Sequence, residues 1–166
     1  KERPYIAQSA HSRLYHMITH AGIEEKDGRK QYKFFTDELF GLDETLEKLV
    51  EEYFHPAAKN LDVKKRILLL MGPVGGGKST IVTLLKQGLE RFTRTDEGAV
   101  YAIKGCPMHE DPLHLIPNHL RDDFYEEYGI RINGSLSPLN TLRLEEEYNG
   151  RIEDVIIERV LFSENK

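Results

Sequence analysis

The chain has 166 residues, of which 39% are hydrophobic and 31% are charged, a composition that predicts a globular protein and excludes a low-complexity tail. Its formal net charge of -5 argues against nucleic acid and anionic membranes as partners, because both require a clustered basic surface. The longest apolar run is far shorter than the roughly 20 residues that cross a bilayer, and the single cysteine, Cys106, excludes an internal disulfide. We therefore expect a soluble, cytoplasmic protein.

The first predicted elements are helices. Apolar residues recur at helical spacing over residues 9–20, and Gly22 follows as a stop signal. The dipeptide Asp27-Gly28 marks a turn. Residues 43–54 carry apolar side chains at i, i+3, i+4, i+7 and i+8, with acidic residues in the first turn, where the helix dipole favours them. This pattern is typical of an amphipathic helix that packs against a core.

Strands and helices alternate in the rest of the chain. Residues 67–71 form a short apolar run without polar interruption, which is typical of a parallel strand buried on both faces. The later predicted elements are a helix over 80–92, a strand over 100–103, helices over 117–128 and 137–148, and a strand over 155–162. This order predicts an α/β fold with a parallel sheet flanked by helices. Because the chain begins with Lys1 and ends directly after an apolar run, we expect a fragment of a longer protein, with a truncated sheet.

A glycine-rich stretch between the first predicted strand and the following helix matches the phosphate-binding pattern G-x-x-x-x-G-K-[ST] at Gly72, Gly77, Lys78 and Ser79. The backbone N–H groups of such a loop surround phosphates, which requires dihedral angles and a close approach that glycine permits. The helix N-terminus and Lys78 add positive charge, and the Ser79 hydroxyl is a ligand for Mg²⁺. We therefore predict a nucleoside triphosphate site with Lys78 as its catalytic residue. The predicted contacts are Gly72, Pro73, Val74, Gly75, Gly76, Gly77, Lys78, Ser79 and Thr80.

Nucleotide hydrolysis also needs an acidic residue at a strand end, where it holds the metal shell and orients the attacking water. Glu164 is the one acid that follows a predicted strand, and we expect the true acid to lie beyond Lys166 instead. Residues 100–104 and 119–122 imitate two protein-kinase motifs, but no D-F-G follows and the glycine loop leads into a helix. Neither match has the context that a kinase fold requires.

Two other patterns have simpler interpretations. Cys106, His109, His114 and His119 suggest a zinc site, but their spacing is irregular and the cysteine is alone. We interpret them as loop and helix-start residues that face a partner or substrate. The basic run at residues 64–66 is interpreted as a solvated connector.

Five stretches together resemble the N-terminal AAA-type ATPase domain of the PrkA family of bacterial serine protein kinases. They are ELFGLDETLEKLVEEYFHPAAK, RILLLMGPVGGGKST, GAVYAIKGCPMHEDPLHLIP, LRDDFYEEYGIRI and LSPLNTLRLEEEY. The resemblance runs from about Ala7 to Glu164, and the block GCPMHEDPLHLIP is its most specific part. It implies a helical N-terminal segment, residues 1–36, ahead of a partial AAA+ domain, residues 37–166.

The resemblance implies a module of a larger cytoplasmic protein that binds ATP and Mg²⁺, has a kinase-like region C-terminal to it, and phosphorylates a protein substrate. It assigns the adenine border to Phe40 and Gly41 and suggests that residues 105–117 face a substrate or another subunit of a homo-oligomer. Two alternatives stay open: an AAA+ unfoldase or ATP-dependent protease module, and a regulatory nucleotide sensor. Because no acidic strand end, sensor residue or arginine finger is assignable, we expect this chain to bind nucleotide better than it hydrolyses it.

Overall fold

In the computed structural model of the chain, the described residues are 9–59 and 68–162. They form two compact units, one built around Gln8–Gly98 and the other around Ala99–Leu161. We refer to these as the N-terminal unit and the C-terminal unit. Each has its own cluster of buried apolar side chains. No helix within the two described ranges is long and apolar enough to cross a membrane.

The N-terminal unit is mainly helical. Its elements are α1 (Ala10–His20), β1 (Ile23–Lys26), β2 (Arg29–Tyr32), α2 (Lys33–Thr36), α3 (Asp43–Lys48), a π-helical segment (Leu49–Phe54), α4 (His55–Ala58) and α5 (Lys78–Thr93). The Ser9 side chain caps α1 by accepting a hydrogen bond from the backbone N–H of Ser12. The predicted helices over 9–20 and 80–92 are confirmed. The predicted helix over 43–54 is present as α3 and the π-helical segment.

The helices of the N-terminal unit share one core. The side chains of Ile18, Val50 and Phe35 are almost completely buried, with 0%, 0% and 1% exposure. The full buried cluster consists of Met17, Ile18, Tyr32, Phe35, Leu39, Leu46, Leu49, Val50, Phe54, Ile81, Leu84 and Phe92. Because α5 contributes Ile81, Leu84 and Phe92 to this cluster, its N-terminal end has a fixed position relative to the rest of the unit.

The hairpin of β1 and β2 was not predicted as strands. The two strands are antiparallel, and Ile23 lies opposite Tyr32. Asp27 and Gly28 both have positive φ angles, 54° and 73°, at the predicted turn. The strand sequences IEEK and RKQY are largely exposed and lack alternating apolar residues, so the turn was their main local signal.

The C-terminal unit combines one small sheet with short helices. Its elements are β3 (Val100–Ile103), 3₁₀ turns at Pro112–Leu115 and Asn118–Leu120, α6 (Arg121–Tyr128), α7 (Pro138–Glu146), a 3₁₀ turn at Ile152–Asp154 and β4 (Ile157–Val160). The strand over 100–103 is confirmed, as are helices within 117–128 and 137–148. The strand predicted over 155–162 is confirmed in its central part, as β4.

The predicted parallel sheet is absent from the described residues. β3 and β4 are antiparallel, with Val100 opposite Val160, and the β1–β2 hairpin is antiparallel as well. Residues 68–71 form no strand, and Leu69 and Met71 are 72% and 81% exposed. Ile67, the first residue of that predicted strand, lies outside the described residues. An apolar run becomes a central strand only with a neighbour on each edge, and among the described residues β3 is paired only with β4.

Candidate functional site

The glycine-rich loop, residues 72–77, lies immediately before α5. Gly75 and Gly77 have positive φ angles of 80° and 76°, a backbone conformation that other residues rarely adopt. The N–H of Gly76 donates a hydrogen bond to the carbonyl of Pro73 at 3.2 Å, which closes a tight turn. Residues 72–76 are exposed, so no packed side chain among the described residues covers this part of the loop. This geometry leaves the backbone of the loop accessible to a ligand.

Lys78 is the first residue of α5, and its side chain turns back onto the loop. Its Nζ donates hydrogen bonds to the carbonyl oxygens of Gly72, at 2.7 Å, and Pro73. The loop's own backbone therefore orders the ammonium group. A positive charge is thus held beside the tight turn.

The first turn of α5 adds further donors at the same end. The N–H of Ile81 donates to the carbonyl of Gly77 at 2.9 Å, which is the first intrahelical hydrogen bond of α5. The N–H groups that precede it in α5 have no hydrogen-bond partner within the helix, and the helix dipole makes this end positive. Ser79 is exposed and Thr80 is half-buried. A hydroxyl group and several amides therefore meet where an anion and its metal ion would bind.

A second segment, Leu39–Leu42, contacts the last glycine of the loop. A methyl group built on Gly77 would lie 3.0 Å from Leu42 Cδ1 and 3.3 Å from Leu39 Cδ2. Between these leucines, Phe40 is 81% exposed and Gly41 has a φ of 72°. Phe40 and Gly41, which were predicted to border the adenine, therefore lie in the same unit as the glycine-rich loop and close to it in space.

The residues present fit a nucleotide with its magnesium ion. A methyl group on Gly75 would meet no atom within 4 Å, so the middle of the loop faces open space. The donor set consists of backbone amides, one ammonium and one hydroxyl, which suits a phosphate chain and a hard cation. Glu164, the candidate acid, lies outside the described residues.

In the C-terminal unit, the block GCPMHEDPLHLIP is organised by the buried carboxylate of Glu110. Its Oε1 accepts hydrogen bonds from the Ser137 N–H at 2.7 Å and from His114 Nδ1 at 3.1 Å. Its Oε2 accepts from Ser137 Oγ at 2.6 Å and Asn140 Nδ2 at 2.5 Å. Burial raises the pKa of Glu110, but these hydrogen bonds outweigh burial and lower the pKa to about 2. The carboxylate therefore joins the loop after β3 to the start of α7.

The cysteine and histidines of this block have structural partners. Asn140 Nδ2 also donates to Cys106 Sγ at 3.2 Å, and His114 Nε2 lies 3.0 Å from the carbonyl oxygen of Asn133. Within residues 9–59 and 68–162, no group of three histidine, cysteine or carboxylate side chains could hold a metal ion. The zinc interpretation of Cys106, His109, His114 and His119 therefore has no support in this part of the chain.

Sequence reasoning missed the roles of Glu110, Asn140 and Arg121. Arg121 donates to the carbonyl oxygens of Ile116 and Gly134, at 3.0 Å and 2.5 Å. Glu110 and Asn140 are 30 residues apart, and no local pattern pairs residues at that separation. The one available signal was Ser137-Pro138, which correctly marks the start of α7.

Comparison with known proteins identifies the class of this domain. A family model described as the PrkA AAA domain matches residues 1–166, the whole chain. The chain therefore belongs to the PrkA AAA domain family, which confirms the resemblance found in the sequence. No solved structure matches the chain.

Three relatives show how far the similarity extends. Over all 166 residues the chain is 77% identical to the ATP-dependent protease PrkA of Bacillus subtilis (strain 168), and it spans 26% of that protein. An uncharacterised protein of Geobacillus stearothermophilus is 76% identical over 67 residues, which are 40% of this chain and 69% of that protein. The serine/threonine kinase YeaG of Escherichia coli (strain K12) is 33% identical over 118 residues, or 66% of this chain and 17% of YeaG. The chain thus matches about a quarter of the B. subtilis protein.

Proposed function

We propose that this chain binds Mg·ATP at its glycine-rich loop and serves as the nucleotide-binding part of a larger ATP-driven protein. The observation that carries the proposal is the exposed loop at the N-terminus of α5, with positive φ angles at Gly75 and Gly77 and Lys78 turned back onto it. A strand-to-helix turn without a ligand would need neither the lysine nor the hydroxyl that follows it.

Each residue of the site has a proposed role. The backbone amides from Gly75 to Thr80 surround the phosphate chain, with Pro73 and Val74 shaping the loop. Lys78 places its charge at the β and γ phosphates, and Ser79 ligates the magnesium ion. Phe40 and Gly41 border the base. The magnesium ion, when bound, would neutralise charge that develops on the phosphates.

Replacing Ser79 by alanine tests the metal assignment. Mg²⁺ is expected to increase the ATP affinity of the wild-type chain, and Ser79→Ala should reduce this increase by about tenfold because one hydroxyl ligand is lost. Isothermal titration with ATP, with and without Mg²⁺, measures the effect. Thr83→Ala, an exposed hydroxyl residue on the same helix, is the matched control. Equal magnesium dependence in Ser79→Ala and the wild type would contradict the assignment.

For the longer protein, we propose ATP-dependent action on a protein substrate. Proteolysis is the first candidate because the relative that is 77% identical over the whole chain is named an ATP-dependent protease. Serine phosphorylation, favoured by the sequence resemblance, is the second because YeaG, named a serine/threonine kinase, is 33% identical over 118 residues. A regulatory nucleotide sensor is the third.

One assay on the full-length protein separates these outputs. We expect ATP-dependent disappearance of intact casein on a gel, with no transfer of the labelled γ-phosphate to serine. Label transfer to intact casein would instead establish the kinase. ATP binding without phosphate release, casein loss or label transfer would establish the sensor. The Lys78→Ala protein is the control for ATP dependence in each measurement.

For the longer protein we also propose a parallel sheet and assembly into a homo-oligomer. Leu69 and Met71 are largely exposed, and their apolar run is suited to a strand with neighbours on both edges. We propose that such neighbours come from the remainder of the longer protein, and that this protein is a cytoplasmic homo-oligomer.

A further inference from the structure

We propose that Leu39 and Leu42 are positioning residues that align Phe40, and hence the base of a bound nucleotide, with the phosphate loop. This inference rests on the proposed function and deepens it, because it adds two residues that do not touch the ligand. It concerns the turn formed by Leu39–Leu42 and the contact of that turn with Gly77.

Both ends of the turn are anchored to helices. The N–H of Leu39 donates to the carbonyl of Phe35, the last buried residue of α2, at 3.0 Å. The carbonyl of Leu42 accepts from the N–H of Leu46, which lies in α3, at 2.9 Å. Leu39 is 7% exposed and belongs to the buried core, and Leu42 packs against that core. The turn is therefore a fixed part of the N-terminal unit.

The two central residues of the turn, Phe40 and Gly41, are exposed. Phe40 is 81% exposed although it is a large aromatic residue, and Gly41, directly after it, lies at a bend with a φ of 72°. A methyl group on Gly41 would meet no atom within 4 Å. The turn thus presents one accessible aromatic ring beside open space. A planar nucleobase is the ligand class that stacks on such a ring.

The leucine side chains link this turn to the loop. A methyl group on Gly77 would lie 3.0 Å from Leu42 Cδ1 and 3.3 Å from Leu39 Cδ2, so the two side chains reach the backbone where the loop becomes α5. Lys78 and Ser79 follow Gly77 directly in α5. The distance between the ring and the phosphate-binding groups is therefore set by the packing of Leu39 and Leu42 on Gly77.

This arrangement predicts a selective defect. Shortening Leu42 opens a gap at Gly77 and lets the turn shift, while α5 keeps its own buried anchors, Ile81 and Leu84. The phosphate-binding groups then stay in place, and the ring loses its alignment. A ligand with a base should lose affinity, and a ligand made of phosphates alone should not.

The test measures the affinities of the full-length protein for ATP and for inorganic tripolyphosphate by isothermal titration. Mg²⁺ is present in both titrations. Leu42→Ala is expected to weaken ATP binding about tenfold and tripolyphosphate binding less than about twofold, because a small misplacement of a binding group costs that order of affinity. Leu42→Met conserves the volume and should restore the wild-type ratio of the two affinities. Phe40→Ala should give the same selective loss as Leu42→Ala.

Leu85→Ala is the matched control, because Leu85 is also a partly buried leucine that packs against the same core. It should lower stability without changing the ratio of the two affinities. Leu42→Val, a smaller truncation, serves if Leu42→Ala does not fold, and a smaller selective loss is then expected. The inference would be overturned if Leu42→Ala lowered the affinities for ATP and tripolyphosphate equally, or lowered neither. It would also be overturned if Leu85→Ala lowered the affinity for ATP selectively.

Failure of this inference is distinguishable from failure of the proposed function. Suppose that Lys78→Ala binds neither ATP nor tripolyphosphate, while the Leu42 variants keep the wild-type ratio of the two affinities. In that case only the proposed role of the leucines is wrong. If the wild-type chain binds neither ligand, both proposals are wrong.

Discussion

Replacing Lys78 by alanine is expected to abolish ATP binding while leaving the thermal unfolding of the chain nearly unchanged. The ammonium contacts the carbonyl oxygens of Gly72 and Pro73, and no apolar core residue depends on it. Its removal would leave the β and γ phosphates without a charge-assisted partner. Charge-assisted hydrogen bonds to phosphate are among the strong ones, so we expect the affinity to fall by about a hundredfold or more.

Isothermal titration with Mg·ATP measures the loss of ATP affinity in Lys78→Ala, and a thermal melting curve shows whether the fold of the variant is intact. Lys86→Ala is the matched control, because Lys86 is an exposed lysine of the same helix, two turns further along. It removes the same charge from α5 at a distance from the loop. Unaltered ATP affinity in Lys78→Ala, or equal losses in the two variants, would remove the basis for a phosphate site here.

Replacing Glu110 by alanine is expected to destabilise the C-terminal unit by about 3 kcal/mol. The side chain of Glu110 is 7% exposed, and its carboxylate accepts hydrogen bonds from His114, Ser137 and Asn140. Removing it leaves these partly buried donors without their acceptor, and it disconnects the loop after β3 from α7. The loss should be concentrated in that region.

The same carboxylate gives the stability a defined dependence on pH. The pKa of Glu110 is lowered from 4.5 to about 2 in the folded chain, so its contribution is lost as the pH falls from 4.5 towards about 2. Above about pH 5 the contribution is fully present. The free energy of unfolding of the wild type should therefore approach that of Glu110→Ala in acid.

Hydrogen exchange measures this loss at the residues concerned. The N–H of Ser137 donates directly to Glu110, and the N–H of Ile103 donates to the Glu110 carbonyl. At neutral pH, Glu110→Ala should make the Ser137 amide exchange about a hundredfold faster. Glu145→Ala removes an exposed carboxylate from α7 and should leave exchange unchanged. Equal protection of Ser137 in wild type and Glu110→Ala would show that the carboxylate is not the organising group.

The features that sequence analysis predicted correctly are those determined by local patterns. The glycine loop and α5 follow from a short motif and a helical period, and β3 follows from four successive residues, Val100–Ile103. The contact of Leu42 with Gly77 and the bonds of Glu110 to α7 join residues that are far apart in the chain. Such contacts depend on the packing of whole elements, so a single sequence gives no local signal for them.

The predicted parallel sheet is not confirmed in the described residues, for a related reason. An apolar run such as residues 68–71 shows that a segment can be buried, but it does not show which strand will pair with it. The direction of pairing depends on the connection between strands, and β3 and β4 pair antiparallel with Ile103 opposite Ile157. Composition and order therefore predicted an α/β class, and they could not establish strand partners.

The hydrogen bonds of Lys78 to Gly72 and Pro73 have a consequence for the enthalpy and entropy of nucleotide binding. An incoming phosphate would exchange these internal acceptors for its own oxygens, so part of the enthalpy of the new contacts replaces enthalpy already present. The side chain does not need to be immobilised at that moment, because it is already ordered. Capture of nucleotide should therefore show a modest heat and a small entropic penalty from the lysine.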